Sequence, residues 1–319
     1  MNKTIVKVNA HESGGGPRDG LYDDIVFKNA KDGILPKDVC NILKRKVVAA
    51  SKRKGKYLWL SLKQQEVASD GQAPKKKKRR TTLKKKDTLQ AANDINCVCF
   101  HFGMTGNVKI RYNNKLVVQN GYAREKNNTD VNVWPPKYSK LTMECNDGTE
   151  FAFTTSRRIA RISFHKNIED EEPISKLGFD PFTSMMTLSQ FKNAILKLSG
   201  NVKKNLLDQS FICGIGNWIC DDVLFASGIH PSKECKHLRE NEIKSLHEAI
   251  KDIIYTACKV NGDKDLFPKK WLFHYRWSKG KNGIKYPPLN ETIKFIKVAG
   301  RTTAVIPTVQ KIGKKRSSS

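Results

Sequence analysis

The apolar positions fall into two regimes. Through roughly the first half of the chain they alternate with polar residues in short runs, the period of half-buried strands. Such runs lie at residues 2–10 (Ile5, Val6, Val8), at 47–62 as two runs around the basic turn Lys52-Arg53-Lys54-Gly55-Lys56, and at 95–112 around Gly103-Met104-Thr105-Gly106. They recur at 140–145, 150–154 and 160–164. A short helix is predicted at 39–43 and a polar excursion at 113–134. After Pro173 the period becomes helical. Leu188, Phe191, Ile195 and Leu198 share a face, with Thr187 and Gln190 as a capping box and Gly200 as the stop. Ile243, Leu246, Ile250, Ile253 and Ala257 form a second stripe over 240–260. Alternation returns at 293–298 and 304–306, a hairpin whose turn is Ala299-Gly300-Arg301-Thr302-Thr303. The expected fold class is α+β: an N-terminal β-sandwich domain, then a C-terminal helical domain and a β-hairpin.

Residues 205–231, NLLDQSFICGIGNWICDDVLFASGIHP, organise the second half. Gly214-Ile215-Gly216-Asn217 reads as a glycine turn between helices, with Asn217 as N-cap. Amide N–H groups at such a helix start form an anion site, and phosphate is the common anion. An ordinary helical hairpin has the same pattern.

Composition changes the picture through charge. There are 59 Lys+Arg against 31 Asp+Glu, a net charge of +28, which points to a polyanionic partner, nucleic acid before membrane. No apolar run is long enough to span a bilayer, and the first residues lack a signal-peptide core. The eight cysteines form no CxxC pair, so a structural zinc site is not expected and the thiols read as reduced and buried. Residues 64–93 are polar and carry Pro74-Lys75-Lys76-Lys77-Lys78-Arg79-Arg80, which reads as a disordered basic insertion and a nuclear-import signal, or a nucleic-acid tether. Arg157 and Arg158 at a strand turn are candidate groove or phosphate ligands. Met104 sits at a surface turn, where an apolar tip can either pack or wedge into a base stack.

Together these segments resemble the formamidopyrimidine-DNA glycosylase/endonuclease VIII family, in its plant and fungal branch with a zincless finger. Lys54–Trp59 resembles the family's basic strand start, His101–Gly106 its HLGMTG turn, Trp134–Tyr138 its WPPKY segment and Thr155–Arg158 its TDPRRFG segment. Leu206–Pro231 resembles its helix–two-turn–helix, and Phe267–Phe273 with Gly300–Thr303 its zincless finger. The expected domains are 1–170 (sandwich, with the insertion 64–93), 171–265 (helix–two-turn–helix), 266–313 (finger hairpin) and 314–319 (tail).

The resemblance implies a bifunctional DNA glycosylase/apurinic-site lyase of base-excision repair, a nuclear monomer acting on damaged double-stranded DNA, with no cofactor, no metal and no membrane partner. It implies Lys56, Asn217 and Arg301 as phosphate clamps, with Lys203 as a further candidate. Met104 and Arg157 would fill the space that a flipped nucleotide leaves. Ile159 stands where the family usually has an aromatic wedge, which keeps apolar bulk but loses a stacking plane. The family's nucleophile is an N-terminal proline followed by glutamate, on the loop into a first helix that packs on the sandwich. This sequence opens Met1-Asn2-Lys3-Thr4, so its catalytic residues are unassigned. Two readings follow: an enzyme whose natural start lies upstream, or a non-catalytic nuclear module that binds damaged DNA.

Overall fold

A computed structural model of the chain describes residues 2–27, 36–65, 94–118, 133–277 and 284–312. It divides into two compact units, Met1–Ser175 and Lys176–Ser319.

The first unit is a sheet folded on itself. Its strands are β1 (Lys3–Asn9), β2 (Lys46–Lys54), β3 (Tyr57–Gln64), β4 (Cys97–His101), β5 (Asn107–Tyr112), β6 (Lys115–Val118), β7 (Ser139–Cys145), β8 (Glu150–Thr154) and β9 (Arg161–His165). All pair antiparallel, in the order β6-β5-β8-β7-β1-β2-β3-β4-β9. Strand β1 belongs to both halves. Its start pairs with β2 (Lys3↔Val48), its remainder with β7 (Val8↔Met143), and its register shifts between Ile5 and Lys7. That irregularity bends the sheet, and the two inner faces close on one core. Phe100 of β4 meets Phe151 and Phe153 of β8, with ring centroids 5.3 and 5.1 Å apart. Helix α1 (Pro36–Leu43) adds Val39, Ile42 and Leu43 to this core. Burying each such side chain stabilises by about 1.5–3 kcal/mol.

Three expectations change here. The expected polar excursion at 113–134 starts as a hairpin: Asn113 and Asn114, both at positive φ, turn β5 into β6. The basic residues 52–54 lie within β2, so the turn shrinks to Gly55-Lys56. Gln64 ends β3, so it is not part of an insertion. The basic run 74–80 lies outside the described residues.

The second unit holds α2 (Leu188–Ile195), α3 (Val202–Leu207), α4 (Asn217–Ala226) and α5 (Glu240–Lys259). The Thr187–Gln190 capping box forms as expected. Two short pairs follow, β10 (Lys285–Tyr286) with β11 (Glu291–Thr292) and β12 (Lys294–Val298) with β13 (Arg301–Val305). Phe267, Trp271 and Phe273 join the helices in one core, and Trp218 of α4 packs on all three rings. The aromatic segment therefore anchors the hairpin region to the helices.

Candidate nucleic-acid interface

Three connections meet at one end of the first unit. Tyr57, just after Gly55-Lys56, pairs with His101, and His101 pairs with Arg161. This row places Lys56, the β4–β5 loop and the β8–β9 loop side by side. Within the β4–β5 loop, Gly106 N donates to the Phe102 carbonyl at 2.7 Å. A Cβ on Gly106 would fall 2.4 Å from that oxygen, so this turn requires glycine. The turn thrusts Met104 outward, 73% exposed. Thr105 Oγ1 lies 3.1 Å from Thr155 Oγ1 and accepts from Arg157 N at 3.3 Å, which joins the two loops. Arg157 and Ile159 are exposed beside Met104's loop. The end thus presents an apolar tip, a second apolar side chain and a cation.

The two adjacent arginines have different fates. Arg158, at φ +55°, turns back and holds Asp23 with Nε and Nη2, both at 2.8 Å. Lys140 Nζ sits 3.0 Å from Asp23 and also pairs with buried Glu12. Burial pushes the Asp23 carboxyl up, but the bonds from Arg158 and Lys140 outweigh it and hold it below its ordinary range. Arg158 is therefore a structural cation, not the nucleic-acid ligand that the sequence suggests. Cys97 and Cys99, on β4, have thiols pushed up by burial, Cys99 to about 12, which makes them poor nucleophiles.

In the second unit, α3 is capped by Asn201, which accepts from Lys204 N at 2.8 Å. Two turns follow, and Gln209 staples them. Its Nε2 donates to the carbonyls of Leu207 and Ile215, both at 3.0 Å, and its Oε1 accepts from Gly214 N at 3.0 Å. Gly214, at φ +95°, supplies the left-handed residue the turn needs. Helix α4 then starts at Asn217, with Gly216 as its N-cap. Asn217 is thus not the cap. Its Nδ2 donates across to the Thr302 carbonyl at 2.9 Å, while its Oδ1 is buried and accepts no hydrogen bond. The first N–H groups of α4 lack in-helix acceptors and form its positive end. Strand β13 brings Arg301 there, exposed, directly after a two-residue turn with Ala299 at φ +50° and Gly300 at φ +71°. Both positive φ values make this a type I′ hairpin, tighter than the five-residue turn expected.

Of the residues singled out from sequence, the first unit gathers Lys56, Met104 and Arg157 at one end, and the second joins Asn217 to the strand that carries Arg301. Lys203 is a correction: it is fully buried and pairs with Asp221 Oδ1 at 2.5 Å, so it cannot serve as a phosphate clamp. Gln209 and Asp221 were missed. Gln209 stands in the helix–two-turn–helix segment without an assigned role, and nothing in the local pattern marks Asp221, one of two adjacent aspartates, as buried.

Residues 21–162 match the family model of the formamidopyrimidine-DNA glycosylase N-terminal domain, and residues 177–266 that of the formamidopyrimidine-DNA glycosylase H2TH domain. The chain is 35% identical over 281 residues to the formamidopyrimidine-DNA glycosylase of Arabidopsis thaliana, covering 88% of this chain and 62% of that protein's length. It is 29% identical over 214 residues to the enzyme of that name from Rickettsia conorii, covering 63% of this chain and 77% of that one. In fold it resembles the Lactococcus lactis formamidopyrimidine-DNA glycosylase solved non-covalently bound to DNA containing an AP site. The TM-score is 0.63 at 22% identity, over 98% of this chain and 93% of that one.

Proposed function

The chain belongs to the formamidopyrimidine-DNA glycosylase family, and from that premise we propose that it acts in DNA repair as a glycosylase excising oxidised bases, of formamidopyrimidine or 8-oxoguanine type, from duplex DNA. The observation that carries this reading is Met104, an apolar side chain held out by a glycine turn beside exposed Arg157. Extruding a damaged nucleotide leaves a gap in the stack, and an apolar tip and a cation on one loop pair suit filling it. Asn217, the α4 N-terminus and Arg301 suit holding the phosphates that extrusion distorts. The net charge of +28 steers any such duplex toward the protein.

The finer proposal is that excision is coupled to apurinic-site lyase chemistry. An amine attacks the sugar C1′ and displaces the base. The Schiff base so formed allows the strand to break by elimination. No residue of this sequence is assigned as that amine. The acting form proposed is a nuclear monomer, on the strength of the basic run 74–80 and of a single chain carrying both groups of residues.

The test uses a duplex with one formamidopyrimidine lesion and its undamaged twin. Preferential binding with release of the free base supports the glycosylase, and strand scission with borohydride trapping supports the lyase. Preferential binding without base release removes the catalytic reading and leaves a module that binds damaged DNA. Equal binding to both duplexes sinks both.

A further inference from the structure

Helix α4 carries two side chains, four residues apart, that reach the same strand. Asn217 Nδ2 donates to the Thr302 carbonyl at 2.9 Å, and Asp221 Oδ2 accepts from Ala304 N at 3.1 Å. Four residues of helix rise about 6 Å and two of strand advance about 6.6 Å, so the two bonds keep step. Thr302 and Ala304 sit opposite Lys297 and Phe295. Their outward backbone groups would be an open strand edge without α4.

Asp221 does more than close that edge. Its Oδ1 accepts from Lys203 Nζ of α3 at 2.5 Å, and its Oδ2 also accepts from Arg276 Nη2 at 2.7 Å. All three side chains are buried. One carboxylate thus joins α3, α4, the aromatic segment and β13. A two-stranded hairpin is marginally stable alone, so its orientation depends on such outside contacts.

We infer that Asp221 is a positioning residue for Arg301: it fixes β13 along α4 in the register that sets the Arg301 guanidinium at the Asn217 end of that helix. This inference rests on the DNA-binding reading above. Asp221 touches no phosphate itself and acts on binding only through the hairpin.

The experiment is a double-mutant cycle in the full chain, reading affinity for a lesion duplex across salt concentrations with Asp221→Asn, Arg301→Ala and the pair. Arg301→Ala is expected to weaken binding about tenfold and to lower the salt slope by about one phosphate contact. Asp221→Asn is expected to do the same in the parent chain but to cost less than about twofold in the Arg301→Ala background, the signature of coupling. Equal losses in both backgrounds would overturn the inference, since a merely structural role would be indifferent to Arg301. No effect of Arg301→Ala would overturn the interface reading instead. Should Asp221→Asn fail to fold, Ala304→Pro decides: it removes the β13 donor and leaves the buried carboxylate and its two cations in place. Loss of coupling in that cycle is equally decisive.

Discussion

Gly103 lies directly against Ile159: a Cβ on Gly103 would come within 2.7 Å of the Ile159 carbonyl oxygen. Gly103 also has φ +57°, which a side chain rarely adopts. The Met104 loop and the Arg157–Ile159 loop thus share a backbone contact, and the spacing of the two exposed apolar side chains is fixed by main chain. Gly103→Ala should cost about 1–3 kcal/mol of stability through strain and displace the loops. Duplex affinity should fall by more than for Met104→Ala, which removes only an exposed tip. Thermal unfolding and binding measured on both variants check this. Equal stability for Gly103→Ala and the parent chain would refute the close contact.

Arg157 and Arg158, neighbours in sequence, should separate cleanly. Arg158→Ala leaves Asp23 buried with Lys140 at 3.0 Å and Arg18 at 3.9 Å as its remaining cations, and removing its two closest hydrogen bonds is expected to cost about 1–3 kcal/mol. Arg157→Ala removes an exposed cation and should leave the unfolding midpoint within error while weakening duplex binding and its salt dependence. The reverse assignment, with Arg157 setting stability and Arg158 setting affinity, would overturn the division of roles.

The strands, the long helix and the Thr187–Gln190 capping box were legible because each carries its own local signal: period, cap or stop. Strand β6 had a signal that went unread, since Asn-Asn between alternating runs favours two residues at positive φ. The cluster of Lys56, Met104 and Arg157 was legible as motifs, but their meeting at one end comes from the register Tyr57↔His101↔Arg161, which alternation alone does not set. Lys203 and Arg158 could not be read. Lys203 and Lys204 look alike in a helix of one and a half turns, and only the fold brings Asp221 to one of them. Arg158 meets Asp23 from 135 positions away. Long-range ion pairs leave no trace in local pattern.

Lys203 offers a direct contrast between a buried partner and a phosphate clamp. Lys203→Met removes the cation on Asp221 Oδ1 while Oδ2 keeps Arg276 and Ala304 N. Removing one partner of a buried ion pair is expected to cost about 3–5 kcal/mol. The folded variant should retain the parent salt slope for duplex binding. A slope lowered by about one contact, without loss of stability, would instead make Lys203 a phosphate ligand.

Asp222, next to that hub, gives the second unit a pH dependence of its own. Burial raises its carboxyl from 3.8 to about 7. Its Oδ1 accepts from Phe273 N at 3.1 Å, while its Oδ2 is buried without a hydrogen-bond partner. Arg276 nearby favours the charged form but does not offset burial, and Asp221 opposes it. A carboxyl whose folded pKa lies above its unfolded value binds its proton more tightly when folded. Its effect on stability is therefore absent below the unfolded value and turns unfavourable as pH rises from about 4 to about 7. Asp222→Asn keeps an acceptor for Phe273 N and replaces the orphaned oxygen with a neutral group of similar size. The variant should match the parent near pH 4 and exceed it increasingly up to pH 8, by about 1.4 kcal/mol for each unit of pKa displacement. Calorimetric unfolding of both proteins across that range checks it. An advantage that stays constant with pH would mean Asp222 does not titrate there, and a disadvantage at pH 8 would mean its charge is stabilised by Arg276 after all.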